Sequence, residues 1–133
     1  IRYLRIENSE RGAARNRGAE IAEGQYFNFF DSDDIQYQHH LQTAYTFIQN
    51  NNAPLWFHVG YDIRDENDKL LARETGVLHN PEKKIIITNY LACNSVFIHR
   101  DLFLENKFNE DRRLSTSEDW ELWLRIISRV QLR

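Results

Sequence analysis

The sequence predicts an α/β domain with a mixed sheet and flanking helices. Three observations carry that reading. The front of the chain alternates strand and helix patterns, an aromatic strand runs directly into Asp31-Ser32-Asp33-Asp34, and the end carries an amphipathic helix marked by Trp120, Trp123, Leu124 and Ile127. The 133 residues suit one domain with one core, and eight Phe, six Tyr and three Trp supply bulky apolar surface for it.

Ile1-Arg2-Tyr3-Leu4-Arg5-Ile6 alternates apolar and polar residues as a half-buried strand does. The chain opens inside this strand without Met, so residues 1–133 are expected to be a single partial domain, a fragment that has lost what came before it. Asn8 and Ser9 are candidate N-caps for a helix over Arg11–Glu23, with Ala14, Gly18 and Ile21 along one side, Gly12 and Gly18 permitting close packing, and Gly24 as its stop. Gln25 to Phe30 reads as a short buried strand. A second helix is predicted over Gln38–Asn50, with Leu41, Ala44, Tyr45 and Ile48 on one face. Trp56–Ile63 and Lys69–Glu74 read as strands joined by the polar turn at 65–68, followed by a loop over Gly76–Lys84. Ile85–Tyr90 fits strand or helix equally. Asn94–His99 reads as a strand, Asp101–Asn106 as a short helix, and Trp120 to Ile127, apolar at i, i+3, i+4 and i+7, as the clearest helix.

A net charge of -3 gives no basic footprint, which argues against nucleic acid as a partner. The single cysteine, Cys93, cannot form an internal disulfide, and no His/Cys cluster has zinc spacing, so a reducing compartment is expected. Tyr26–Phe30 and Ile85–Ile87 are far too short to span a bilayer, and no signal-peptide pattern opens the chain. The expected setting is the cytoplasm, at the inner face of the membrane if segments outside this chain bring it there.

Asp31, Asp33 and Asp34 put three carboxylates into four residues at the carboxyl end of a strand, where ligands of α/β folds sit. Like charges so close repel unless a cation or solvent intervenes, and carboxylate oxygens suit hard cations that bridge to phosphates. Two readings stand on these residues: a metal site, or helix capping by Asp33 or Asp34 with Asp31 solvated in a turn. An EF-hand loop is excluded, because Ile35, Gln36 and Gln42 stand where it needs a ligand, a Gly and a Glu. Glu118 and Asp119 enter the final helix. Ser115 with Glu118, and Thr116 with Asp119, fit the capping-box spacing. A carboxylate here could equally act as general base on a hydroxyl nucleophile.

Taken together, three segments resemble the family 2 glycosyltransferases of the GT-A fold. Gly12-Ala13-Ala14-Arg15-Asn16-Arg17-Gly18 is similar to that family's Ala-Arg-Asn-x-Gly helix, followed by Ala22-Glu23-Gly24-Gln25-Tyr26. Phe29-Phe30-Asp31-Ser32-Asp33-Asp34 is similar to its strand-end Asp-x-Asp, and Glu118-Asp119-Trp120-Glu121-Leu122-Trp123-Leu124-Arg125 to its Glu-Asp helix start. The resemblance implies a GT-A-like, Rossmann-like sheet, a nucleotide-diphospho-sugar donor, a divalent cation (Mn²⁺ or Mg²⁺), and transfer to a glycan or lipid-linked sugar acceptor with inversion. It makes Asp33 the main metal ligand, and puts Asp31 on the ribose or in the metal's water shell. Asp119 becomes the catalytic base and Glu118 orients the acceptor. Arg15 lies near the nucleotide in some relatives; a helix-surface ion pair is the alternative.

The family's opening strand and its Asp-Asp-Gly-Ser strand end do not precede Ile1, so the chain is expected to lack the first strands of the nucleotide-binding half. By itself it is expected to be inactive, with its open sheet edge covered by a partner copy. Two rival readings are a haloacid-dehalogenase-like phosphatase using Asp31 and a non-catalytic nucleotide- or sugar-binding module. Trp120, Trp123 and Cys93 are expected in the core, His39-His40 in a helix or surface role, and Arg125 paired with Glu121 at i, i+4.

Overall fold

The computed structural model describes residues 2–76 and 79–133. Helix α1 spans Glu10–Ile21, and its buried face is Gly12, Ala13, Asn16 and Ala19. The face predicted from Ala14, Gly18 and Ile21 is instead exposed. Asn16 decides the rotation: its Nδ2 donates to the Phe108 carbonyl at 2.9 Å and to Glu110 Oε1 at 2.9 Å, while its Oδ1 accepts from the Phe108 N–H at 2.9 Å. Gly12 sits where a Cβ would come within 3.1 Å of the Asn109 carbonyl, so close approach does require glycine there; at Gly18 nothing lies within 4 Å. The helix ends because Ala22 turns extended (φ -77, ψ 145). Gly24 is not left-handed and is not its stop, since Gly76 alone among the described glycines has positive φ.

Residues 2–9 form no strand, contrary to the predicted opening strand; Ile1 lies outside the described residues. Tyr3, Leu4 and Ile6 are 87%, 45% and 38% exposed. Alternation produces a half-buried strand only beside a ladder partner, and among the described residues none lies alongside. Arg2 instead ties this segment to the end of α1 through the Ile21 carbonyl (2.8 Å) and Glu23.

Strand β1 is only Tyr26–Phe27, shorter than the expected 25–30. It pairs antiparallel with β5 (Val96–His99), which also pairs antiparallel with β2 (Trp56–His58), giving the order β1-β5-β2. The α/β class therefore stands, with direct pairings antiparallel rather than mixed. Beyond Phe27 the ladder gives way to the Asn28 side chain, whose Nδ2 donates to the carbonyls of Asn94 (2.9 Å) and Val96 (2.8 Å). Helix α2 (His40–Asn50) buries Ala44, with Phe47 and Ile48 against Phe57 and Phe97. Leu41 and Tyr45, predicted on that face, are 62% and 60% exposed.

The strand expected over 56–63 breaks at Val59-Gly60. A separate hairpin of β3 (Tyr61–Arg64) and β4 (Leu70–Glu74) follows, closed by the predicted turn, in which Asp65 Oδ1 accepts from the N–H groups of Asn67 and Lys69. Gly60 permits the break, because a Cβ there would meet the Glu74 carbonyl at 2.7 Å. Part of the loop expected over 76–84 is helix: α3 covers Pro81–Ile87 with proline in its first turn, and it resolves the strand-or-helix ambiguity at Ile85 in favour of helix. Val77 and Leu78 lie outside the described residues. Helices α4 (Arg100–Asn106) and α5 (Glu118–Ile127) match their predictions closely.

Trp56 and Trp123 stack at 6.0 Å in the main core and are both fully buried. Trp120, half-buried, donates from Nε1 to the Ile85 carbonyl at 2.6 Å. Both α5 tryptophans are therefore packing residues, as expected. Arg125 makes its Glu121 pair (2.8 Å) and also donates to the carbonyls of Asn106 and Lys107, fixing α5 to the end of α4.

Asn16→Ala should cost about 1–3 kcal/mol in denaturant unfolding, because it strands the buried N–H and carbonyl of Phe108. Gly18→Ala, on the open face of the same helix, should stabilise by roughly 0.5–1 kcal/mol. Equal effects at the two positions would mean that Asn16 does not fix the rotation of α1.

An acidic cleft between the strand end and the last helix

The chain after β1 turns sharply, with the Asp34 N–H donating to the Asp31 carbonyl at 3.2 Å and Ser32 and Asp33 at the tip. This turn faces the start of α5 across a cleft of about 260 Å³ whose walls include Arg15, Asp31, Asp34, Asn89, Glu118 and Asp119. Residues from both ends of the chain thus meet in one place.

Arg15 forms the floor contact. Its Nη2 donates to Asp31 at 2.7 and 3.0 Å and its Nη1 to Glu118 Oε1 at 2.8 Å. The Arg15 side chain is 9% exposed, Glu118 4% and Asp31 35%. A guanidinium taken this far out of water needs counter-charges, and its flat fork suits two carboxylates at once. Burial opposes the Arg15 charge, but Cys93, Asp31 and Glu118 more than offset this and hold its pKa above the ordinary value. The guanidinium also lies 5.4 Å from the centre of the Phe108 ring. Arg15 is therefore a buried bridge rather than the helix-surface ion pair offered as its alternative.

Glu118 opens α5, and its side chain turns away from the helix end. Neither predicted capping box forms: Ser117 is the N-cap, without a side-chain cap bond, and Ser115 and Thr116 precede it. Glu118 Oε1 goes to Arg15 and to Arg11 Nε (3.2 Å), while Oε2 is buried with no hydrogen-bond partner among the described residues. Arg11 also donates to the Ser115 carbonyl at 2.7 Å. Two ion pairs outweigh a cap for a carboxylate this deeply buried. Asp119 points differently. Its Oδ1 accepts from Asn89 Nδ2 (3.2 Å) and from the Trp120 N–H (2.7 Å), and its Oδ2 has no protein hydrogen bond among the described residues.

Asp33, expected as main metal ligand, is exposed at the turn tip and is not part of the cleft wall, whereas Asp34 is. Among the described residues no group of three His, Cys, Asp or Glu side chains could hold a cation by itself. The donor set still fits a hard cation of the Mg²⁺ type, which takes one or two carboxylates and completes its shell with phosphate and water oxygens. Asp33 is solvent-facing, and Asp31 keeps lone pairs not used by Arg15.

His40 lies outside the cleft lining, its Nε2 3.1 Å from Asn28 Oδ1 and its ring against Phe30 and Phe97. It is the first residue of α2, which agrees with the helix role expected for it, and its ring also packs there. Cys93 is half-buried at the cleft; burial pushes its thiol up to about 12, with Arg15 opposing and Asp119, Asp31 and Glu118 adding to the rise. Sequence reasoning missed Arg11 and Asn89, and it counted Asp34 in the acidic cluster without giving it the cleft position it has. Arg11 had a signal, since it lies one helical turn before Arg15; Asn89 had none, because its approach to Asp119 depends on how α3 docks.

Compared with known proteins, residues 5–132 match the family described as glycosyltransferase like family 2. The chain is 34% identical over 131 residues to an uncharacterised glycosyltransferase of Rickettsia bellii, covering 97% of this chain and 19% of the relative. It is 30% identical over 128 residues to an uncharacterised glycosyltransferase of Methanocaldococcus jannaschii, covering 91% of this chain and 42% of the relative. A glycosyltransferase of Streptococcus pneumoniae, GlyG, is 24% identical over 145 residues, covering 98% and 48%. The chain thus spans between about a fifth and a half of these relatives.

Arg15→Met should destabilise the fold by about 3–5 kcal/mol by leaving Glu118 buried without adequate counter-charge, and adding Glu118→Leu should recover most of the loss. Denaturant unfolding of the two singles and the double checks this; simple additivity would contradict the bridge. Alkylation of Cys93 in the folded protein should rise with pH toward about 12, since the thiolate is the reactive form. A plateau near the free-cysteine range would contradict that shift.

Proposed function

The chain belongs to glycosyltransferase-like family 2, and we propose that it forms the reacting cleft of an enzyme that moves a sugar from a nucleotide-diphospho-sugar to an acceptor hydroxyl, with inversion. The observation that carries this reading is the meeting of the Asp31–Asp34 turn and Glu118-Asp119 across one cleft, joined through Arg15. Such a transfer needs two acidic stations, one for the donor and one for the acceptor, within a single sugar's reach.

On this reading Asp119 Oδ2 takes the proton from the acceptor hydroxyl. The acceptor oxygen then forms its bond to the anomeric carbon as the bond to the diphosphate breaks, and the diphosphate leaves with the electron pair. Asp33 and Asp31 are the residues that would hold a divalent cation, Mn²⁺ or Mg²⁺, which when bound offsets the charge of the departing diphosphate. Arg15 contributes fixed positive charge next to Asp31 and keeps the donor turn in place. Glu118, with one oxygen committed to Arg15 and Arg11, acts on the acceptor side by anchoring the start of α5.

Because the chain spans only part of its relatives' length, the activity is assigned to the full-length protein, and these residues alone are proposed not to turn over donor. A glycan or lipid-linked sugar is the proposed acceptor class, polysaccharide or glycan synthesis the setting, and pairing with a second copy the cover for the open sheet edge. Among the described residues no helix is long and apolar enough to cross a membrane. The cytoplasm, at the inner membrane face, remains the proposed location. Nothing favours the phosphatase reading: Asp31, its required nucleophile, is held by Arg15 on both oxygens.

The test is a screen of the full-length protein against UDP- and GDP-sugars with Mn²⁺ or Mg²⁺. Asp119→Asn should lower kcat by about 10²–10⁴-fold with donor KM nearly unchanged. Asp33→Asn should raise the metal concentration required for activity. Unimpaired transfer by Asp119→Asn would place the base elsewhere. Nucleotide-sugar binding without turnover would leave a binding module, and phosphoester hydrolysis abolished by Asp31→Asn would favour the phosphatase.

A further inference from the structure

We infer that Asn89 is the positioning residue that fixes which oxygen of Asp119 faces the acceptor; this rests on the glycosyl-transfer reading. Asn89 lies beyond α3 on the cleft wall, and its Nδ2 donates to Asp119 Oδ1 at 3.2 Å. The Trp120 N–H donates to the same oxygen at 2.7 Å. Two donors on Oδ1 set the plane of the carboxylate, so Oδ2 is the oxygen left to receive a proton. One of these donors is backbone of α5 and moves with Asp119. Asn89 is therefore the only one of the two that references the carboxylate to the opposite wall.

That wall is itself clamped to α5 on both sides of Asn89. Trp120 Nε1 holds the Ile85 carbonyl at 2.6 Å, four residues before Asn89, and Trp123 Nε1 holds the Leu91 carbonyl at 3.2 Å, two residues after it. Ile85, Tyr90 and Leu91 are buried, and the Tyr61 hydroxyl donates to the Tyr90 carbonyl at 3.0 Å. Asn89 is thus an exposed side chain on a segment pinned at both ends by the helix whose first turn carries Asp119. The arrangement follows a general pattern in which a base is oriented by a third group held rigidly behind it. An amide suits the role because its N–H donates without bringing a positive charge that would weaken Asp119 as a base.

The full-length protein decides this by separating kcat from KM. Asn89→Ala should lower kcat by about 10- to 100-fold with donor KM and unfolding midpoint little changed, the scale expected when a reacting group loses its alignment. Asn89→Gln, which retains the amide donor, should recover part of the loss. Asn89→Asp should lose more than Asn89→Ala, because it sets a like charge against Asp119. Ile87→Ser, 80% exposed and outside the cleft, should match the unaltered protein. Wild-type kcat in Asn89→Ala, or a loss that appears wholly in donor KM or in the unfolding midpoint, overturns the inference while leaving glycosyl transfer intact. Absence of transfer by the unaltered protein overturns the glycosyl-transfer reading first, and the role of Asn89 falls with it.

Discussion

The charge of Arg15, buried between two carboxylates, is the constraint from which the rest of this structure follows. A guanidinium removed from water is tolerable only if its counter-ions are close and held in geometry, and here they come from 16 and 103 positions away in sequence. Asp31 arrives on the turn after β1, and Glu118 on the first turn of α5. Neither can move away without stranding charge, and Glu118 is the more deeply buried of the two, with Oε1 on both Arg15 and Arg11. Arg11, one turn earlier on α1, repeats the contact to Glu118 from the solvent side.

Packing around that bridge serves to keep it in register. Asn16, on the next position of α1, ties the helix to the segment after α4 at Phe108, and Gly12 lets the backbone at Asn109 approach. Phe29, Phe103 and Phe108 form an aromatic cluster with ring centres 5.0 to 5.6 Å apart directly behind the acidic turn. The short sheet β1-β5-β2 connects this cluster to the smaller core under α2. On the other side of the cleft, Trp120 and Trp123 use their indole N–H groups as cross-links as well as their rings as filler. The hairpin β3–β4 is a separate sheet, joined to the turn region through Tyr37, whose hydroxyl donates to Asp62 at 2.7 Å, and to α3 through Lys84 and Glu74 at 3.0 Å.

Helix positions were largely legible in the sequence because apolar spacing and punctuation are local signals; α2, α4 and α5 begin and end near their predicted places. Which face of a helix is buried was less legible. In α1 one asparagine with three hydrogen bonds overrode the small-residue stripe, and in α2 the inward positions were Ala44, Phe47 and Ile48 rather than Leu41 and Tyr45. Strands were misjudged where pairing decides the outcome. The alternation of residues 2–6 has no ladder partner, and Gly60 divides an apparently continuous strand because another backbone crosses it. The family and the acidic stations were legible as ordered motifs, and Arg15, Asp31, Glu118 and Asp119 do line one cleft. Asp33 does not, and the capping reading of Glu118 failed because a buried ion pair is worth more to that carboxylate than a backbone N–H.

The chain belongs to glycosyltransferase-like family 2, and the site proposed for it is a cleft whose acidic walls come from opposite ends of this chain. The most direct check is paramagnetic broadening of backbone amide signals by Mn²⁺ in the presence of UDP or GDP. If the acidic turn and the start of α5 share one cleft, signals from Ser32–Asp34 and Glu118–Trp120 should broaden together, while Asn51 and Asn52, past the far end of α2, stay sharp. Broadening confined to the turn at 32–34, with residues 118–120 unaffected, would contradict a single cleft.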